Sequence, residues 1–130
     1  MVLIGEGIWA GLGASLGAEI VLPSEAGSLL SRLEDVSTIV DAGLDEALEA
    51  RSSLWRGLAS LRDGRRLLVL RPAGSSAGAL AGGYGAVLSG EYGGLLSREV
   101  QLEAMDGAAA AAAVRSELGI EAGPTRSLWR

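Results

Sequence analysis

The chain has 130 residues, a formal net charge of −5, 48% hydrophobic residues and 21% charged residues. That length holds one ordinary domain or two very small ones, and that composition excludes intrinsic disorder. All eleven cations are arginine, and His, Cys, Lys and Asn are absent, which closes off imidazole bases, thiol nucleophiles, Schiff-base amines and thiolate zinc sites.

The negative balance disfavours indiscriminate nucleic-acid binding, although local arginine clusters can still meet phosphate. Twenty glycines against three prolines imply many tight turns or close backbone approaches. The N-terminal apolar run is broken by Glu6 and Glu19 and lacks a basic leader, so it reads as neither signal peptide nor membrane span, and a cytoplasmic location is expected. The absence of Asn and Cys, with Gln101 the sole glutamine, fits a thermophilic source, and the Arg, Ala and Gly bias fits a high-GC genome equally well.

In chain order, residues 1–9 and 16–22 read as strands joined by a glycine-rich turn. Ser24 is placed to cap a helix over residues 25–33, with Leu29, Leu30 and Leu33 on one face. The β-branched run 36–40 predicts another strand. Asp41 or Gly43 opens the clearest helix, where Leu44, Leu48, Leu54, Trp55, Leu58 and Leu61 keep helical spacing until Gly64. Residues 67–70 read as a buried strand, 72–83 as a mobile loop and 84–89 as a second strand. Alternation of Leu96, Arg98, Val100 and Leu102 with Ser97, Glu99 and Gln101 marks a third, with Arg98 near an edge. Asp106 caps a helix over 107–118, whose six consecutive alanines favour helix and close packing. A short strand near Ile120 and a tail carrying Trp129 between Arg126 and Arg130 end the chain. The expected class is mixed α and β, of α+β type: a small N-terminal ββα(β) unit (1–42), then a nuclease-like αβββαβ core (43–130).

Four features carry possible chemistry. Gly5-Glu6-Gly7-Ile8-Trp9-Ala10 follows an apolar strand as a G-x-G-x-x-A string, the pattern in which glycines admit a pyrophosphate at a helix N-terminus. Against that reading, few residues separate Gly7 from the second strand, and Gly11 and Gly13 weaken any helix there, so a hairpin-like turn is favoured. The glycine-rich stretch 74–85, with Ser75 and Ser76, lacks the Lys of a P-loop and reads as a mobile loop. Glu99 and Gln101 share a strand face but have no aspartate on the preceding strand to complete a metal cage, which favours a solvated face. Arg62, Arg65, Arg66 and Arg71 form a basic cluster suited to RNA phosphate or to ordinary solvation.

From Leu44 onward the order helix, three strands, helix, short strand, preceded by a small α/β unit, resembles the archaeal tRNA-splicing endonuclease family. The similar strings are Ala18-Glu19-Ile20-Val21-Leu22-Pro23-Ser24-Glu25-Ala26 before Leu29-Leu30, Leu54-Trp55-Arg56-Gly57-Leu58 through Leu61-Arg62-Asp63-Gly64, Tyr84-Gly85-Ala86, and Val114-Arg115-Ser116. Catalytic members use a Tyr, a His and a Lys, and two of these types are missing here. The resemblance therefore implies a non-catalytic structural subunit of a heteromer, which positions the catalytic endonuclease subunit and precursor tRNA without a cofactor or a membrane. Under it, Glu103 and Asp106 stand where an acidic loop docks on the opposing subunit, Asp106 doubling as an N-cap, and Trp129 needs a surface to bury it. The alternative is a small nucleotide- or anion-binding module using Gly5 and Gly7.

Overall fold

The computed structural model describes residues 1–61, 65–81, 83, 87, 95–103, 107–118 and 126–129. Six strands, β1 (Val2–Ile4), β2 (Glu19–Val21), β3 (Thr38–Asp41), β4 (Arg65–Pro72), β5 (Leu95–Leu102) and β6 (Arg126–Trp129), form one sheet in the order β2-β1-β3-β4-β5-β6. Every neighbouring pair is parallel. The mixed α and β class is thus observed, and the strands on either side of position 42, β3 and β4, are hydrogen-bonded neighbours.

Parallel neighbours need crossover connections. Those fully described are helix α1 (Ile8–Leu16), a 3₁₀ segment (Pro23–Asp35) and helix α2 (Leu48–Ala59), and helix α3 (Gly107–Leu118) lies between β5 and β6. One face of the sheet packs Ile4, Ile39, Leu67 and Val69 against Leu29 and Leu33 of the 3₁₀ segment and Leu54, Trp55 and Leu58 of α2. The other packs Leu3, Val40, Leu68, Leu70, Val100 and Leu102 against Trp9 and Leu12 of α1 and the alanines and Val114 of α3. Strands covered on both faces need apolar side chains at successive positions, which is why Val2-Leu3-Ile4 and Leu67-Leu68-Val69-Leu70 do not alternate.

The expected strand-turn-strand opening is corrected: α1 stands between β1 and β2, and the two strands are parallel. Glycine does not prevent the helix, because Gly13 is where α1 meets the sheet. A Cβ there would lie 2.6 Å from Ile20 Cγ1. Gly17, at φ 66°, then closes α1 with a paired C-terminal motif, its N–H donating to Ala14 O and that of Ala18 to Gly13 O. Three-residue strands make a nine-residue crossover helix long enough.

Other expectations shift locally. Helix α2 begins at Leu48, not at residue 41 or 43, because residues 44–47 form a turn. Of the expected strand 84–89 only Val87 is among the described residues, and it is helical, as are residues 79–81. The expected strand at Ile120 lies outside them. Arg98 is not at an edge: β5 lies between β4 and β6, and Arg98 is buried against Glu117 of α3 with Nε and Oε2 2.5 Å apart. Among the described residues no helix is long and apolar enough to cross a membrane.

Asp41, the last residue of β3, is fully buried. Its Oδ1 accepts from Arg51 Nη2 (2.6 Å) and Gly43 N–H (3.0 Å), and its Oδ2 from Arg51 Nε (3.1 Å) and Trp55 Nε1 (2.9 Å). Arg51, equally buried, lies 5.4 Å from the Trp55 ring centroid. Removing one partner strands the other's charge in the core. Arg51→Met should therefore cost about 3–5 kcal/mol of unfolding free energy, with Asp41→Leu/Arg51→Met recovering part of the loss, as urea denaturation will show.

Candidate functional site

In an open parallel sheet, ligands favour the crevice at the carboxyl ends of the strands where successive connections depart to opposite faces. The switch lies between the neighbouring strands β1 and β3: α1 leaves β1 over one face toward β2, and α2 leaves β3 over the other toward β4. The crevice is therefore walled by the β1–α1 turn (residues 5–7) and the β3–α2 turn (residues 42–47).

The β1–α1 wall is built around glycine. A Cβ on Gly5 would sit 2.8 Å from Trp9 Cβ and 3.4 Å from Ala42 Cβ, so only glycine lets β1 pass this closely beneath α1. Gly7 takes φ 63° and ψ −123° as the N-cap of α1, where a side chain is strained. It has no side chain to cap the first-turn amides, and the first turn holds no acidic residue. The positive end of the α1 dipole thus has no side-chain cap, and the Trp9 N–H of its first turn donates to Glu6 O at 3.3 Å.

The walls also carry acid. Glu6 shares a side-chain hydrogen bond with Glu46, and this bond, the Glu46 charge and slight desolvation hold its carboxyl above the ordinary carboxylate range. Asp45 accepts the Gly78 N–H at 3.0 Å, tying the β3–α2 turn to the turn after β4. Among the described residues no group of three or more Asp and Glu is placed to hold a metal ion.

A second polar cluster lies further along the same sheet edge. Arg71 Nη1 donates to Glu99 Oε1 at 2.9 Å, Gln101 Nε2 reaches the same oxygen at 3.4 Å, and Arg71 Nη2 donates to Ser75 O. Glu99 is buried and ion-paired, which corrects the expectation of a solvated strand face. The only described start of the 74–85 stretch is ordered by bonds within it, Ala77 N–H to Ser75 Oγ and Ala79 N–H to Ser76 O. At the opposite edge a cavity of about 340 Å³ is lined by Glu34, Asp35, Leu61 and Arg65.

The three described arginines of the sequence cluster are not brought together. Arg65 and Arg66 start β4 and Arg71 stands near its end, roughly 20 Å away at strand rise; Arg62 lies outside the described residues. Arg65 donates to Val36 O (2.6 Å) and Glu34 O (3.2 Å), and Arg66 to Leu118 O. Glu103 is exposed just past β5, and Trp129 is in register with Leu102, so these two share the carboxyl edge. Asp106 lies outside the described residues.

Sequence reasoning missed Asp41 and Arg51. A carboxylate closing an apolar strand, and an arginine three and four residues before Leu54 and Trp55 on the buried helix face, were the available signals.

No family model, curated protein or solved structure matches this chain.

The Glu6 and Glu46 pair gives a pH signature. Because the folded state holds a proton on Glu6 where the unfolded chain has released it, stability falls as pH rises from the ordinary glutamate value through the raised one. Glu6→Gln removes the repulsion that appears above that window. Thermal melts should show the variant level with the parent near about pH 4 and the more stable of the two at neutral pH; a difference independent of pH would exclude the coupling.

Proposed function

We propose that this chain is a nucleotide-binding α/β domain without catalytic chemistry of its own, its ligand seated at the carboxyl ends of β1 and β3. One observation carries the reading: the Gly5-Glu6-Gly7 string opens a helix directly after a parallel strand, at the point where the strand order reverses. That strand-turn-helix context separates a phosphate-binding glycine turn from a chance string. A bare anion is a poor fit, since Glu6 and Glu46 stand at the mouth. A nucleotide suits both features, its phosphate facing the α1 amides and its hydroxyls offering donors to carboxylates. The absence of His, Cys and Lys from the whole chain supports binding rather than catalysis.

The test is calorimetric titration with ATP and with NAD. Binding to the parent, weakened at least about tenfold by Gly7→Val in a variant that melts cooperatively, is the expected result. No heat with either nucleotide removes the reading.

A second reading is the non-catalytic subunit of a tRNA-splicing endonuclease-like heteromer, positioning a catalytic subunit and precursor tRNA. It is favoured by the tail strand β6 at the sheet edge, where Trp129 pairs with Leu102 beside Glu103. An open strand edge can accept another chain. Co-expression with catalytic subunits should then yield a heteromer whose precursor-tRNA cleavage depends on this chain, while the chain alone cleaves nothing.

A further inference from the structure

We propose that the β2 edge of the sheet is a self-pairing surface, where a second copy of this chain adds its own β2 antiparallel about Ile20 to make one continuous sheet. β2 ends the strand order, so among the described residues no strand lies beyond it. Glu19 N–H donates to Met1 O and Val21 O accepts from Gly5 N–H, so residues 19 and 21 face β1. Successive residues of a strand direct their amide and carbonyl to opposite sides, and Leu22 keeps extended backbone (φ −67°, ψ 146°). Ile20 N–H, Ile20 O and Leu22 N–H therefore face outward.

These groups complement themselves. With a two-fold axis at Ile20, each Ile20 N–H meets Ile20 O of the other copy, and each Leu22 N–H meets the other copy's Ala18 O. The reciprocal groups of that outer pair are already bonded inside each chain: Ala18 N–H donates to Gly13 O, and Leu22 O accepts from Glu25 N–H. Pairing ends there, where Pro23 opens the 3₁₀ segment. A longer foreign strand gains no further bonds, so the edge is cut to the length of its own copy.

The side chains agree. Ile20 and Leu22 are apolar yet each 41% exposed. Ile20 lies on the α1 face, against Gly13, and Leu22 follows it by strand alternation. Across the axis Ile20 stands opposite Ile20, and Leu22 opposite Ala18, large against small. On the other face Glu19, the one charged residue of 18–22, accepts from Arg32 Nη1 at 2.8 Å. Two chains of net charge −5 thus meet on an edge whose charge is balanced. Residues 18–22 hold no lysine and no proline, the usual devices that keep an edge strand single.

The pairing is independent of the nucleotide reading, and sedimentation equilibrium of the chain alone tests it. The parent mass should rise from 13.2 kDa toward twice that value between about 1 µM and 1 mM, the range expected of a small interface. Ile20→Lys sets like charges opposite each other at the axis and should weaken association at least about tenfold. Leu80→Lys, at a leucine 68% exposed after β4, should leave it unchanged. A parent that stays at monomer mass, association that Ile20→Lys leaves intact, or equal loss in Leu80→Lys overturns the proposal. Ile20→Cys gives a readout that does not depend on how the lysine variant folds, because the chain has no cysteine of its own. Hydrogen-bonded antiparallel partners have Cα atoms about 5.5 Å apart, within disulfide reach. Air oxidation should join Ile20→Cys chains at least about tenfold faster than Leu80→Cys chains, as proximity dictates; equal rates overturn the pairing.

Discussion

The contact on which the carboxyl edge of this sheet depends is the buried bidentate pair between Asp41 and Arg51. A carboxylate at the end of β3 is unavoidably desolvated, because strands on both sides and a helix above leave it no water. Four donors replace that water: three from Arg51 and Trp55 of α2, and one from the Gly43 backbone. The pair therefore fixes where α2 begins relative to β3. Gly43 is part of the same solution, since a Cβ there would lie 2.8 Å from Arg51 Cζ. Buried pairs of this kind contribute less to net stability than to choosing one arrangement over others. Here the arrangement chosen is a turn whose backbone would not otherwise adopt its shape.

That consequence links core and crevice. Arg51 has donors beyond those Asp41 can accept, and it directs them at Leu44 O and Glu46 O. A lysine in its place would offer a point charge without the planar fork, and could not hold a carboxylate and two carbonyls at fixed angles. The opposite wall of the crevice is set by steric means, through Gly5 beneath Trp9 and Gly7 at positive φ. One wall is thus electrostatically clamped and the other sterically forced. They meet at Glu6 and Glu46.

Much of this was legible from the chain alone, and what was missed has physical causes. The buried runs at β1, β3 and β4 and the α3 alanines were readable because apolar runs and helix propensity are local signals. The parallel arrangement was not, since pairing of strands distant in sequence leaves no local mark. Reading Gly11 and Gly13 as helix breakers failed because propensity is a weak prior that packing overrides: Gly13 is the contact point with Ile20. The G-x-G string itself was visible, but its meaning turned on whether a helix followed. Arg51 was invisible as a core residue because a lone arginine on a helix is ordinarily solvated; only its alignment with Trp55 hinted otherwise.

The arginine-only cation set acquires a structural meaning from these contacts. Arg51, Arg65, Arg66, Arg71 and Arg115 each donate to at least one backbone carbonyl, and their acceptors lie in turns or at helix ends. Arg66 reaches Leu118 O at the end of α3, and Arg115 of α3 reaches Ser15 O in the last turn of α1, where helix carbonyls have no intrahelical partner. A glycine-rich chain with no asparagine has few side chains that satisfy such groups locally. The guanidinium reaches across elements instead, and carries positive charge to the negative ends of helices. These arginines do inside the fold what caps and turn residues do elsewhere. The three described members of the sequence cluster, Arg65, Arg66 and Arg71, are among them, so their first task is holding this molecule's own carbonyls.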